Sequence, residues 1–359
     1  MNKIISFKKL IYIFTVVVLI FVFYHFLVWT FWTSQIFDRK DGLFVGDLGR
    51  LSYQIDSLQP RKIEFTLPKK HLNNTNWNEQ NIDIMTVGDS FSNGGGGGIN
   101  SYYQDHIASK YNINILNLHP LTPEVNPIDL LIYLYNTKWL HTNTPKAILI
   151  EIVERQALDY FAKDFDWSQD NLKIDSIVAD SPKKEQHTQS LGFINNANYK
   201  IIYYTLKYKK KIDANKGAYL FNLNKELFNA KSFSNKLLVY DGDINNITSK
   251  DDKRVEKLNN NLNKLAVLLN GIGVELFFMP VVDKYDLYYN YISNNPYEKN
   301  YFFDILKVLD KQYTMIDTKN ILNDLIIDNI KDVYYADDTH WSYKASEAIA
   351  EDKSFRIFR

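Results

Sequence analysis

From Leu10 to Trp32 the chain is almost wholly apolar or aromatic. At about 1.5 Å per residue a helix of that length crosses a hydrocarbon core of roughly 30 Å, so this one feature reads as a membrane-spanning helix. The sequence predicts a short N-terminus over 1–9, a single transmembrane anchor over 10–32 and the bulk of the chain beyond it. Lys3, Lys8 and Lys9 precede the run, whereas Asp38, Arg39, Lys40 and Asp41 follow it with balanced charge. The positive-inside rule then leaves the N-terminus in the cytoplasm and the rest in the periplasm or outside the cell. A cleaved signal peptide is the competing reading, but the run is long for one and no small-x-small site precedes Phe31-Trp32. His25 inside the span is either a tolerated polar residue beside Tyr24 or a functional group.

The remaining chain is long enough to bury a sizeable core. Lysine plus arginine and aspartate plus glutamate number 42 each, so no global field favours nucleic acid or a polyacidic partner. Cysteine is absent, which excludes disulfides, thiol nucleophiles and thiolate metal sites. Seven scattered histidines show no ligand spacing, and neither a metal nor a cofactor is expected.

Residues 33–80 read as a polar connector. Beyond it Ile82 to Val87 reads as a buried strand, Asn100 to Lys110 as a helix and Ile113 to Leu118 as a second strand. Ile128 to Trp139 looks helical, Ala147 to Val153 is a third strand, and Lys253 to Asn270 is an amphipathic helix feeding a strand at Val274 to Met279. A fifth strand is expected at Tyr313 to Ile316 and a closing helix from Tyr343. This alternation predicts an α/β domain over 81–359 with a mostly parallel sheet and ligands at the C-terminal strand ends. The pattern weakens over about 158–251, which reads as an insertion. It carries Tyr203-Tyr204-Thr205-Leu206-Lys207-Tyr208-Lys209-Lys210-Lys211, either a solvated helix face or a surface for anionic polymers or lipid headgroups.

Two short motifs lie at opposite ends of this domain. Gly88-Asp89-Ser90 follows the first strand, where a sharp turn can present Ser90 at the sheet edge beside backbone N–H groups. Phe91-Ser92-Asn93 leads into five glycines, Gly94 to Gly98, whose entropic cost implies either a close approach to that backbone or a flexible surface loop. Near the C-terminus, Asp337-Asp338-Thr339-His340-Trp341 offers an imidazole base, two carboxylates and a ring that can wall a pocket. Asp338, with Asp337 as alternate, is expected to fix the tautomer of His340, and the other acid to face solvent or a helix N-terminus.

A strand, Gly88-Asp89-Ser90 and a late aspartate-histidine pair resemble the SGNH, or GDSL-type, hydrolase superfamily. Asp338-Thr339-His340-Trp341, with Glu151 to Arg155 and Met279 to Tyr288, looks like the periplasmic alginate O-acetyltransferase branch. The resemblance spans roughly residues 82–350 without the insertion. It implies a three-layer α/β/α sandwich, Ser90 as nucleophile, His340 as base and Asp338 as its orienter. In that branch the aspartate-histidine motif precedes the serine, whereas here Ser90 comes first, as in the wider superfamily. Glu154 and Arg155 stand where the superfamily carries its asparagine block, and Asn117-Leu118-His119-Pro120 where it carries its glycine block. Gly88, Gly94, Gly95, Asn117, Arg155 and Trp341 are the candidate oxyanion and substrate contacts. Arg155 has two open roles, gripping a carbonyl or uronate, or pairing with Glu154.

The implied function is a membrane-anchored O-acetyltransferase acting on a cell-surface or exported polysaccharide. Its acetyl donor would be a multi-pass membrane acyltransferase that carries acetyl groups outward. A glycan or peptidoglycan acetyl-esterase shares the same triad, and a noncatalytic glycan-binding assembly subunit is the third possibility.

Overall fold

Runs such as Ile84–Val87 and Ala147–Val153 are buried at every position, and a strand of that kind is stable only when both faces are covered. The computed structural model describes residues 7–37, 45–59, 61, 65–73, 76–98, 100–118, 125–172, 192–213, 217–247 and 252–358. Lys3, the stretch Asp38 to Asp41, His119-Pro120 and much of the insertion, 173–191, lie outside them. The described strands are β1 (Leu72–Asn73), β2 (Ile84–Val87), β3 (Ile115–Asn117), β4 (Ala147–Val153), β5 (Ala218–Asn222), β6 (Lys236–Tyr240), β7 (Glu275–Val281) and β8 (Thr314–Met315).

The fold is α/β. Six strands form one sheet in the order β1-β3-β2-β4-β7-β8, and every pairing in it is parallel. From β2 onward the chain lays down its second strand beside the first and then steps the other way, which places a switch in direction between β2 and β4. Ligands of open parallel sheets bind at the C-terminal edge of such a switch. β2 ends at Val87, so Ser90 emerges there. The helix Tyr103–Tyr111 packs against Tyr343–Ala350, while Asp252–Asn270 packs against Glu154–Phe161 and Phe302–Val308. Asn126 caps the helix that begins at Pro127 by accepting from Ile128 N at 2.9 Å, and Ser342 caps the closing helix at Tyr343.

Two expectations change. The connector is not a passive tether: the short helix Asp47–Ser52 and residues up to Arg61 pack into the domain, with Leu48 fully buried. Polar spacing hid this, because these residues make hydrogen bonds and ion pairs rather than an apolar stripe. The insertion starts later than residue 158, since Glu154–Phe161 is a core helix with Ala157 and Phe161 buried. The sequence leaves the role of the insertion open, and it supplies the antiparallel pair β5 and β6, whose Phe221, Leu237 and Val239 join the main hydrophobic core.

Among the described residues one helix, Phe7–Phe37, is long and apolar enough to cross a membrane. His25 is buried on it, with its two ring nitrogens at 2.7 Å from Asn198 Nδ2 and 3.1 Å from the Tyr199 hydroxyl. Its polarity is thus satisfied by a helix of the insertion rather than by Tyr24.

Leu149 sits in the middle of β4 with no exposure, between β2 and β7. Its replacement by alanine should cost roughly 2–5 kcal/mol, read as a lower urea midpoint for the detergent-solubilised protein.

Candidate active site

The turn after β2 is stapled to β4. Asp89 Oδ2 accepts the Val153 N–H at 2.9 Å and its Oδ1 accepts that of Phe91 at 3.0 Å. Glu151 Oε2 accepts from Asp89 N at 3.1 Å, Ser92 N at 3.0 Å and Ser92 Oγ at 2.7 Å. Burial, reinforced by neighbouring Asp89, pushes the Glu151 carboxyl well above the usual range. These bonds leave Ser90 alone facing out of the turn, and it is exposed.

Ser90 Oγ lies 2.7 Å from His340 Nε2, and His340 Nδ1 lies 2.6 Å from Asp338 Oδ1. The serine and histidine are 250 residues apart in sequence, so only the parallel sheet brings them together. Asp338 also receives the His340 N–H at 3.0 Å and Arg61 Nη2 at 3.1 Å. Burial works against its charge, but His340 and Arg61 outweigh it and hold Asp338 down at about 2. For His340 burial favours the neutral ring, yet the facing Asp338 charge prevails and raises its pKa.

Asp337 is not the alternate orienter. It is fully buried, pairs with Arg61 Nη2 at 3.0 Å and accepts the Gly46 N–H at 3.0 Å, at the start of the helix Asp47–Ser52. It therefore takes the helix-terminus place rather than the solvent. Thr339 is held by Asp47, whose Oδ1 accepts the Thr339 N–H at 2.8 Å and whose Oδ2 accepts its hydroxyl. Lys284, buried, donates to the carbonyls of Tyr335 at 2.7 Å, Ala336 at 3.2 Å and Asp338 at 3.0 Å. Burial lowers its pKa to about 8, against the pull of Asp337 and Asp338. Asp47, Asp338 and His340 place donor atoms within 4.8 Å of one another, a spacing that also suits a cation. Ser90 and Asp338 already occupy both His340 nitrogens, however, and Thr339 and Arg61 engage the carboxylates.

The glycine run is approached closely, and by the chain itself. A Cβ on Gly95 would meet the His340 ring, and one on Gly98 would meet Arg61, whose Nε donates to the Gly96 carbonyl. Gly94, at φ +73°, has the left-handed conformation that favours glycine. Gly95 donates its N–H to Ser90 O at 2.7 Å. Among the described residues no backbone group accepts from the N–H of Ser90 or Gly94, and both residues line the pocket. A pocket of about 560 Å³ opens over Ser90, walled by Gly94–Gly97, Asn93, His340 and, from the connector, Val45, Asp47, Arg50 and Leu51.

Four of the expected contacts sit elsewhere. Gly88 lies beneath the turn, where a Cβ would collide with Ser92 Oγ and Glu151 Oε2. Asn117 is interior, accepting from Thr86 Oγ1 and donating to Ser92 O, both at 2.9 Å, so it fixes the serine loop from below. Arg155 pairs with Asp283 at 2.7 Å and Asp243 at 3.1 Å instead of Glu154, and does not line the pocket over Ser90. Trp341 is buried under the site rather than beside it: its ring meets that of Phe91 at 4.6 Å, and Phe91 in turn meets His340 at 4.7 Å. Sequence reasoning missed Arg61, Asp47 and Lys284. Lone cations and acids in polar segments carry no periodic signal, and only the fold shows them to be buried.

Gly88→Ala should displace the serine turn while the fold survives, read as loss of fluorophosphonate labelling at Ser90 with unchanged circular dichroism. Since His340 must be neutral to accept the serine proton, labelling should fall in acid with a midpoint above the ordinary imidazole value. Asp338→Asn removes the charge that raises it, so the midpoint should move down and the rate drop roughly 10³–10⁴-fold. No protein family, no curated protein and no solved structure matches this chain, so the chemistry has to be argued from the geometry of these residues.

Proposed function

We propose that the protein is a membrane-anchored, serine-dependent O-acetyltransferase. Its SGNH-like three-layer domain would lie outside the cytoplasmic membrane and pass acetyl groups to hydroxyls of a cell-surface or exported polysaccharide. The observation that carries the catalytic part is the unbroken line from Ser90 Oγ through His340 to the Asp338 carboxylate, at 2.7 and 2.6 Å, at the mouth of an open pocket. Those are the separations a nucleophile, its base and the orienting acid require.

In the first half-reaction His340 Nε2 takes the Ser90 proton as Oγ attacks the acyl carbonyl. The oxyanion is met by the N–H groups of Ser90 and Gly94, and its collapse expels the donor's leaving group, which takes the proton from His340. In the second half-reaction an acceptor hydroxyl gives its proton to His340 and attacks the Ser90 ester; the tetrahedral intermediate collapses with the acyl group on the acceptor, and His340 returns the proton to the departing Ser90 Oγ. Asp338, kept ionised by Arg61, stabilises the imidazolium in both.

The anchor supports the choice of acceptor and donor. A domain held at the outer face has no access to cytoplasmic acyl thioesters, so a multi-pass membrane acyltransferase is the fitting source of acetyl groups. The exposure of Ser90 favours a second reading, since water reaches the acyl-enzyme as easily as a sugar does, and the same machinery is then a glycan acetyl-esterase.

The test mixes the protein with a chromogenic acetyl ester and a panel of oligosaccharides, and follows dye release and sugar mass for wild type and Ser90→Ala. Ser90-dependent release with added acetyl mass on a sugar is the expected result. Release without mass gain turns the assignment to an esterase, and release that ignores Ser90 sinks the acyl-enzyme.

A further inference from the structure

The helix Ala197–Tyr208 lies against the end of the membrane helix. Tyr24 donates to Asn198 O at 3.0 Å, and the Tyr24 and Tyr199 rings stack at 5.1 Å. Ile201 packs with Val28, Ile36 and Val45 in a small apolar cluster of its own, and Tyr204 stacks on Tyr53 at 5.6 Å. The sequence places the anchor over 10–32, but His25, Val28, Thr33 and Ile36 are buried against the protein, so the stretch without a buried residue runs from Phe7 to Tyr24, about 25 Å and close to one hydrocarbon thickness. The contact therefore falls at the outer edge of the bilayer, where Trp29, Trp32 and these tyrosines have the composition of an interfacial aromatic belt.

The face turned away from the protein is apolar. Ile202, Tyr203 and Leu206 follow helical spacing, and all are exposed, Leu206 at 57%. No acidic residue stands on this helix, and Lys207 is followed by exposed Lys209, Lys210 and Lys211. Lys207 Nζ sits 4.8 Å from the Tyr203 ring centroid. An apolar stripe edged by lysines and continuous with a membrane helix matches a bilayer surface in both hydrophobicity and charge.

We propose that the helix Ala197–Tyr208 lies in the membrane interface, its stripe among the upper acyl chains and its lysines on anionic headgroups. Because the anchor is itself packed on this helix, the second contact and the anchor together fix the domain against the bilayer. Val45 belongs both to the cluster under this helix and to the wall of the Ser90 pocket, so the fixed orientation sets that pocket beside the bilayer surface.

The chain has no cysteine, so one introduced at Leu206 carries a polarity-sensitive fluorophore at a single known site. The full-length protein is placed in bilayers of zwitterionic lipid, with or without anionic lipid, that contain a nitroxide high on the acyl chain. Val267→Cys, on the exposed side of the helix Asp252–Asn270, is the reference. The Leu206 probe should be quenched at least about twofold more than the Val267 probe and be shielded from aqueous iodide. Equal behaviour at the two sites overturns the proposal, as does a Leu206 probe shielded from lipid and iodide alike, which would mean a protein partner or a second copy covers the stripe. Exchange of Lys209, Lys210 and Lys211 for glutamine should abolish any gain from anionic lipid; a gain that persists removes the headgroup contact. Ser90→Ala protein serves equally well, so the outcome is separate from that of the acyl-transfer assay.

Discussion

The site depends on one buried cation. Arg61 reaches Asp337, Asp338 and the Gly96 carbonyl at once, joining the connector, the glycine run and the histidine loop. Taking a guanidinium and two carboxylates out of water costs several kcal/mol per ion before their attraction and hydrogen bonds offset it. Such a cluster is a poor device for stability and a good one for position. Once Asp338 must face Arg61 on one oxygen, its other oxygen is left for His340, and the ring can point only toward Ser90. Lys284 adds a second cation behind the same loop and holds three of its carbonyls.

The glycine run and the histidine loop fit by subtraction. Gly95 leaves the volume into which the His340 ring settles, and Gly98 leaves room for Arg61. The entropic cost of so many glycines is thus explained by close approach, though the approaching groups are the protein's own rather than a substrate's. Beneath them Phe91, Trp341 and Tyr103 form a floor of rings that limits how far the imidazole can tilt.

How far the sequence could be read depends on the kind of force involved. Apolar runs at Ile84–Val87 and Ala147–Val153, and the amphipathic helix before Glu275, announced the parallel sheet because burial leaves a periodic trace. Ser90, His340 and Asp338 stood out because a nucleophile, base and acid are unusual together near turns. The roles of Asn117, Arg155 and Trp341 were not legible, since a polar or aromatic residue at a strand end is equally suited to a pocket or to the interior. Nor was the connector, whose Asp47, Gln59 and Arg61 pair with residues almost the whole chain away. Contacts of such long range depend on the assembled fold and leave no local pattern.

Val45 has a consequence for the life of the molecule. One side of it rests on Val28 and Ile36 of the long apolar N-terminal helix, and the other lines the pocket over Ser90. A cut between this helix and the domain would strip Val45 of its backing and leave Ile201 and Tyr53 wet. Such a cut would do more than separate two pieces of the chain: it would slacken a wall of the pocket over Ser90, so that the shape of the site depends on the helix that precedes it.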